Sequence, residues 1–144
     1  MQLKNNENEK VSLQTLIGVC KRGDIDSVKY WISRNKHQLN EITDNMENPL
    51  LSAVLNRHFE TVDLLVENGA DCNITIDSKT LLGWCFMRND FEMALHLTSL
   101  GCNFDLSNHE QRSSLMGSLD SSFHSRDMRN FLKKYQLTLS KLIK

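Results

Sequence analysis

The sequence has little proline, little glycine and no long apolar run. Its 144 residues include one proline and six glycines, which excludes a collagen-like or Pro/Gly-rich low-complexity chain. No stretch approaches the roughly 18 apolar residues that a membrane-spanning helix needs. The start, MQLKNNENEK, has no apolar signal core. The sequence therefore predicts no membrane partner and a cytoplasmic location.

Close groupings of cysteine are also absent. The four cysteines stand at positions 20, 72, 85 and 102, without a C-x-x-C pair or a nearby Cys/His cluster. This spacing argues against a zinc site and favours reduced thiols. Neither G-x-x-x-x-G-K-[ST] nor G-x-G-x-x-G, the two phosphate-binding patterns, occurs. We therefore expect no metal and no cofactor.

The overall charge is close to neutral but unevenly distributed. The formal net charge is −1, which argues against a nucleic-acid partner. Residues 1–125 nevertheless carry about −6, and the remainder about +5. The positive end can indicate contact with an anionic surface, or it can simply suit the dipole at a helix C-terminus. Its basic residues are Arg126, Arg129, Lys133, Lys134, Lys141 and Lys144, with one acid, Asp127.

An internal repeat is the main positive signal. Residues 62–73 read VDLLVENGADCN and residues 94–105 read ALHLTSLGCNFD, 32 positions apart. A third match lies 34 residues upstream of the stretch 62–73. In each copy a short apolar helix is followed by a polar break and a second helix with apolar residues at i, i+3, i+6 and i+7. Such units bury their apolar faces only by stacking on one another.

Glycine marks the end of the second helix in two copies. Gly69 and Gly101 stand where the apolar pattern stops, and glycine adopts the left-handed C′ conformation without a Cβ penalty. We therefore expect both glycines to end a helix in this conformation.

Residues 49–73 resemble the ankyrin repeat, whose units begin T-P-L-H-x-A-A and end G-A-D-V-N. The matching residues are Pro49, Leu50, Ala53, His58, Leu65, Gly69, Ala70, Asp71 and Asn73. The flanking units are degenerate, although Gly23 stands at the family's inter-helix glycine. The resemblance implies an all-α ankyrin-repeat solenoid of three to four stacked helix–turn–helix units.

The resemblance also implies a domain organisation. Residues 1–10 are expected to be a frayed polar N-terminus, and residues 11–144 the repeat domain, with units at about 11–44, 45–77, 78–108 and 109–144. The last unit would be a C-terminal cap with helices at 113–119 and 125–135, the second N-capped by Ser125. The second-helix cores are predicted as Ile25/Val28/Trp31, Phe59/Val62/Leu65 and Phe91/Ala94/Leu97.

No catalytic constellation is evident. Cys85 could pair with His58 or His96 as thiol and imidazole, but it occupies a slot where the family has alanine, and a small apolar thiol fits there. The carboxylates are scattered, without a separated acid–base pair. We expect that the protein is not an enzyme.

A binding surface is the stronger expectation. In ankyrin-like stacks, loop tips and the exposed ends of first helices line one concave side. Trp84, Met87 and Arg88 are residue types enriched at hot spots and would form its centre, although Trp84 could instead fill the core. The other candidates are Asn45, Glu47, Asp77, Ser78, Lys79, Asn108, Glu110 and Gln111 in loops, and Lys21, Arg22, Leu55 and Asn56 at helix ends.

The functional expectation is a non-enzymatic protein–protein interaction module. It would act as a small stand-alone adaptor or inhibitor, more often a monomer than a homo-oligomer. One alternative is an immunity-type protein that neutralises a toxin enzyme through the same surface. Another is a self-assembling structural unit that pairs through the basic amphipathic segment 128–143.

Overall fold

A computed structural model describes residues 2–119 and 125–137. The chain divides into two compact units, Met1–Ile76 and Asp77–Lys144. The described residues contain eight α-helices and two two-residue strands, so the prediction of an all-α fold is confirmed.

The first unit consists of two stacked helix pairs. The elements are α1 (Gln2–Arg22), α2 (Ile25–Asn35), a 3₁₀ helix (Lys36–Gln38), α3 (Pro49–Leu55), α4 (Phe59–Glu67) and β1 (Thr75–Ile76). Helices α1 and α2 pack against each other, as do α3 and α4, and the pairs meet through contacts of α1 with α3 and of α2 with α4.

The second unit contains four further helices, α5 (Leu81–Met87), α6 (Phe91–Ser99), α7 (His109–Leu119) and α8 (Arg126–Lys134). Helix α5 packs against α6 and α7, and α6 packs against α8. Asp77 and Ser78, which precede β2 (Lys79–Thr80), have φ of 51° and 66°, as in a type I′ turn.

The same hydrogen-bond pair closes six helix ends in the described residues. In α4, the Gly69 amide donates to Val66 O at 3.1 Å and the Ala70 amide donates to Leu65 O at 2.9 Å. This is the Schellman motif, with the C′ residue in the left-handed conformation. Gly69 and Gly101 have φ of 106° and 101°, which confirms the prediction for both. The six C′ residues are Gly23, Arg57, Gly69, Asn89, Gly101 and Gln136.

Most of the second-helix core residues are buried as predicted. Val28, Val62, Leu65, Phe91, Ala94 and Leu97 are at most 1% exposed, whereas Ile25, Phe59 and Trp31 are only half-buried. The prediction of Trp31 as a core residue is therefore wrong in part. Its indole is larger than the leucines in the aligned slots and meets the ring of Tyr30 edge-on at 5.6 Å. Tyr30 itself is 52% exposed.

Helix α1 begins earlier than expected. The sequence analysis predicted a first helix of about eight residues after a frayed segment at 1–10, but α1 extends from Gln2 to Arg22. Residues 2–10 are rich in straight-chain helix formers. The extension is also held by tertiary contact, since Gln38 Nε2 donates to Glu9 O at 2.8 Å.

The C-terminal helices differ from the prediction at one start. Helix α7 begins at His109 rather than 113, because Asn108 Oδ1 accepts from the Gln111 amide at 3.0 Å and caps it. Helix α8 is capped by Ser125 Oγ, which accepts from the Met128 amide at 3.0 Å, as predicted. Three predicted features lie outside the described residues: the stretch 120–124 between the two cap helices, the end of the segment 128–143 with Lys141, and Lys144.

Candidate protein-binding surface

Helix α5 positions three candidate residues at its exposed side. Thr80 caps the helix, its Oγ1 accepting from the Gly83 amide at 3.1 Å. Trp84 is half-buried, Met87 is 53% exposed and Arg88 is exposed. Arg88 lies one helical turn after Trp84, and Met87 three residues after it, so the side chains can point the same way.

Trp84 is therefore neither a fully exposed surface residue nor a fully buried core residue, the two positions that the sequence left open. Its ring is partly covered, and Lys79 Nζ lies 5.2 Å from the ring centroid. An ammonium over an indole face is attracted by the ring quadrupole, at about 0.5–1 kcal/mol at an exposed site. This contact orders Lys79 beside Trp84. Asp77 and Ser78, which precede Lys79, are exposed.

Glu110 is not the free loop residue that the sequence predicted. It lies in the first turn of α7 and is half-buried. Its Oε2 accepts from the Thr80 amide at 3.1 Å and from Thr80 Oγ1 at 3.0 Å. A Cβ at Gly83 would stand 1.6 Å from Glu110 Oε1. Glu110 thus joins α7 to the start of α5, and the missing side chain at position 83 makes room for it.

The neighbouring candidates on α7 also have internal roles. Gln111, expected in a loop, is only 4% exposed. Its Oε1 accepts from the Asp105 amide at 2.8 Å, and its Nε2 donates to Asn103 O at 3.2 Å. Asn108 is half-buried and caps α7. These two side chains hold the loop before α7 in place.

In the first unit, the loop candidates divide in the same manner. Asn45 is exposed and lines a cleft of about 280 Å³ together with Ile42, which is 40% exposed. Glu47 is half-buried and forms an ion pair with Lys21 from the last turn of α1. Asn45 therefore remains available, while Glu47 is engaged within the unit.

The helix-end candidates of the first unit differ in exposure. Leu55 is half-buried at the end of α3. Asn56 is exposed, but its Nδ2 donates to Ser52 O at 2.8 Å. Arg22, at the end of α1, is exposed.

Two residues that organise these loops were not predicted as site residues, namely Asn48 and His58. Asn48 is 1% exposed. Its Oδ1 accepts from the Leu50 and Leu51 amides at 2.9 and 3.1 Å, and its Nδ2 donates to Leu39 O and Glu41 O. Its position immediately before Pro49 was the available signal, because Pro is favoured at the first helical position after an N-cap.

His58 links two neighbouring helix pairs. Its Nε2 lies 2.8 Å from Lys21 O, so the ring donates to this carbonyl. The sequence analysis identified His58 as a match to the ankyrin repeat, and the structure shows a hydrogen bond that this residue makes.

The chemistry of the cysteines is that of buried packing groups. Cys20, Cys85 and Cys102 are buried, Cys72 is half-buried, and all four are free thiols. Burial raises the pKa of the Cys20 thiol from 9.0 to about 12, the opposite of what activates a nucleophile. Among the residues that the structure describes, no group of three or more His, Cys, Asp or Glu side chains could hold a metal ion.

No helix in residues 2–119 or 125–137 is both long enough and apolar enough to cross a membrane.

A search of curated proteins found no match. A family model described as ankyrin repeats, in three copies, matches residues 16–108. Ankyrin repeats are generally protein–protein interaction modules. Because the match covers more than half of the chain and the described helices pair as such repeats do, the chain belongs to the ankyrin-repeat family.

Proposed function

We propose that this protein is a non-enzymatic module that binds another protein through its loop and first-helix surfaces, acting as an adaptor or an inhibitor. The observation that carries the proposal is the arrangement on α5, where a half-buried Trp84 is flanked by the exposed Met87 and Arg88. A partner that covers Trp84 would remove apolar area from water at little conformational cost, because the ring is already partly fixed.

The charged neighbours would add specificity. Lys79 Nζ lies over the indole ring. Arg88 follows Trp84 by one helical turn, so its side chain can point the same way. Arginine beside a buried aromatic anchor is a frequent form of hot spot, in which truncation costs about 2 kcal/mol or more. In the second unit, the exposed Asp77 would act as a weaker peripheral contact. The exposed Asn45 and Asn56 would be candidate contacts on the first unit.

The half-buried candidates would contribute indirectly, and they are Glu47, Leu55, Asn108 and Glu110. Glu47 and Glu110 hold Lys21 and Thr80, respectively. Removal of Glu47 or Glu110 should displace the neighbouring loop rather than delete a contact with the partner.

We also propose that the protein works in a reducing compartment such as the cytoplasm, which the four free thiols support. We further propose that it is a monomer.

The test begins with a pull-down from native cells, read by mass spectrometry, to obtain a partner. Trp84→Ala combined with Arg88→Ala should then weaken binding about 100-fold or more by calorimetry, since each 1.4 kcal/mol is tenfold. Trp31→Ala is the matched control, because Trp31 is also a half-buried tryptophan but lies on a second helix.

Two results would count against the proposal. Full affinity in the Trp84/Arg88 double variant, with its fold intact by circular dichroism, would remove α5 from the interface. Turnover of the captured partner by the purified protein would contradict the non-enzymatic role.

A further inference from the structure

Helix α8 carries a basic face opposite its buried face. Met128 and Phe131 are 1% and 0% exposed. The exposed cations at positions i, i+3 and i+7 fall on the other side of the helix. They are Arg126, Arg129 and Lys133. Lys134 is also exposed but lies at the edge of this face, where its Nζ donates to Thr98 Oγ1 of α6 at 2.8 Å.

The helix presents this face rigidly. The Phe131 ring lies within 5.1–5.7 Å of the rings of Phe86, Phe91 and Phe104. Ser125 caps the start. At the other end, the Leu137 amide donates to Leu132 O at 2.8 Å. A helix fixed at both ends and along its apolar side keeps the backbone positions of its cations constant, so a partner does not have to order the backbone on binding.

The helix dipole explains only part of the basic face. Lys133 and Lys134 lie in the last turn, where positive charge is favourable. Arg126 is the first helical residue, where a cation opposes the dipole and an acid would be stabilising. Asp127 is the one acid of that turn. The helix dipole therefore does not account for the arginine at the helix start, where an acid would be more favourable.

The partner that fits this face is small and anionic. Arg126 and Lys133 are seven residues apart, about 10 Å along a helix, a length spanned by three or four residues of an extended peptide. The net charge of the whole chain is −1, so attraction to a polyanion is local and is screened beyond about 8 Å at physiological ionic strength. These features favour a short acidic peptide over a duplex nucleic acid or a membrane, whose anionic surfaces are much wider.

We propose that the basic face of α8 is a second interaction surface, which binds a short acidic segment of a partner protein. This surface is independent of the α5 surface described above. Its cations would bind carboxylates and accelerate the encounter with an acidic partner, while contributing little affinity per ion pair.

The experiment is an NMR titration of ¹⁵N-labelled protein with a capped hexaglutamate peptide at low salt. Amide shifts should concentrate in residues 125–137, and affinity should fall as salt is raised. Arg126→Glu with Lys133→Glu should weaken binding about tenfold, from two lost ion pairs and the repulsion that replaces them. Lys29→Glu with Lys36→Glu is the matched control, since both lysines are exposed, equally spaced and outside α8. It changes the net charge equally and should alter affinity less than twofold.

A second readout separates binding from folding. Arg126→Glu alone removes the unfavourable charge at the helix start, so its melting temperature should equal or exceed that of the parent protein while its affinity for the peptide falls. Equal weakening by both double variants would overturn the proposal in favour of non-specific charge attraction. Duplex DNA or phosphatidylserine vesicles could also bind more tightly than the peptide. If that binding is lost in the Arg126→Glu/Lys133→Glu variant, the face would be assigned to that partner instead.

Discussion

The contact between Gly23 and His58 offers a quantitative test of how neighbouring repeats are joined. Gly23 has φ of +67°, and a Cβ added there would stand 2.5 Å from His58 Nδ1 and 2.7 Å from its Cγ. Gly23→Ala should therefore impose two costs. One is the left-handed conformation of a non-glycine residue, about 1–2 kcal/mol. The other is displacement of the imidazole.

The second cost follows from the hydrogen bond that the ring makes. If the methyl group pushes the ring aside, His58 Nε2 loses Lys21 O, 2.8 Å away, at a net cost of about 0.5–1.5 kcal/mol. Gly23→Ala should then lower the free energy of unfolding by about 1.5–3.5 kcal/mol in total. In a His58→Ala background only the backbone cost remains, so the two substitutions should show a coupling energy of about 1 kcal/mol.

Urea unfolding followed by tryptophan fluorescence would measure this cycle. A Trp84→Phe background leaves Trp31, in the same unit as Gly23 and His58, as the one reporter. Gly69→Ala is the control, because nothing lies within 4 Å of its added Cβ; its cost should be the same with or without His58. Additive effects of Gly23→Ala and His58→Ala, within about 0.3 kcal/mol, would refute the reasoning.

Three further outcomes can be measured on the same protein. Leu65→Ala, at a position that is 0% exposed, should cost about 2–5 kcal/mol in urea unfolding, and a cost below about 1 kcal/mol would contradict its core position. Asn89 has φ of 55°, so Asn89→Ala should be destabilising by about 1 kcal/mol while Asn89→Gly is neutral or stabilising; the opposite order of melting temperatures would contradict the Schellman assignment. Burial raises the pKa of the Cys20 thiol from 9.0 to about 12, so above about pH 9 the unfolded chain loses this proton while the folded chain keeps it. The free energy of unfolding should therefore fall as the pH rises from 9 toward 12, and iodoacetamide at pH 8 should modify the half-buried Cys72 well before Cys20.

The repeat and its joints were predictable because they depend on local rules. The apolar spacing in 59–66 and 91–98 predicts helices, and Gly69 and Gly101 mark their ends. Asn89 adopts the same left-handed conformation, and asparagine is the next most frequent residue there after glycine. Arg57 also adopts it, and its residue type gives no signal, because a non-glycine residue with positive φ is held by the surrounding structure.

The extent of α1 was not predictable for a related reason. Residues 2–10 have no apolar periodicity and read as a frayed polar segment, yet they continue α1. Part of what holds them is the bond from Gln38 to Glu9 O, between groups 29 residues apart. Contacts of that separation are not visible in a window of local sequence.

The sequence did not distinguish candidate binding residues that are exposed from those that form bonds within their own unit. Polar residues in loops read alike, but Glu110 and Gln111 hold backbone groups of their own unit, whereas Asp77 and Asn45 are exposed. An ordered loop must satisfy its backbone polar groups, so short repeat loops assign some polar side chains to internal bonds. We therefore expect affinity to depend on residues that combine exposure with an apolar or arginine side chain, which on the proposed surface of the second unit are Met87 and Arg88, beside the half-buried Trp84.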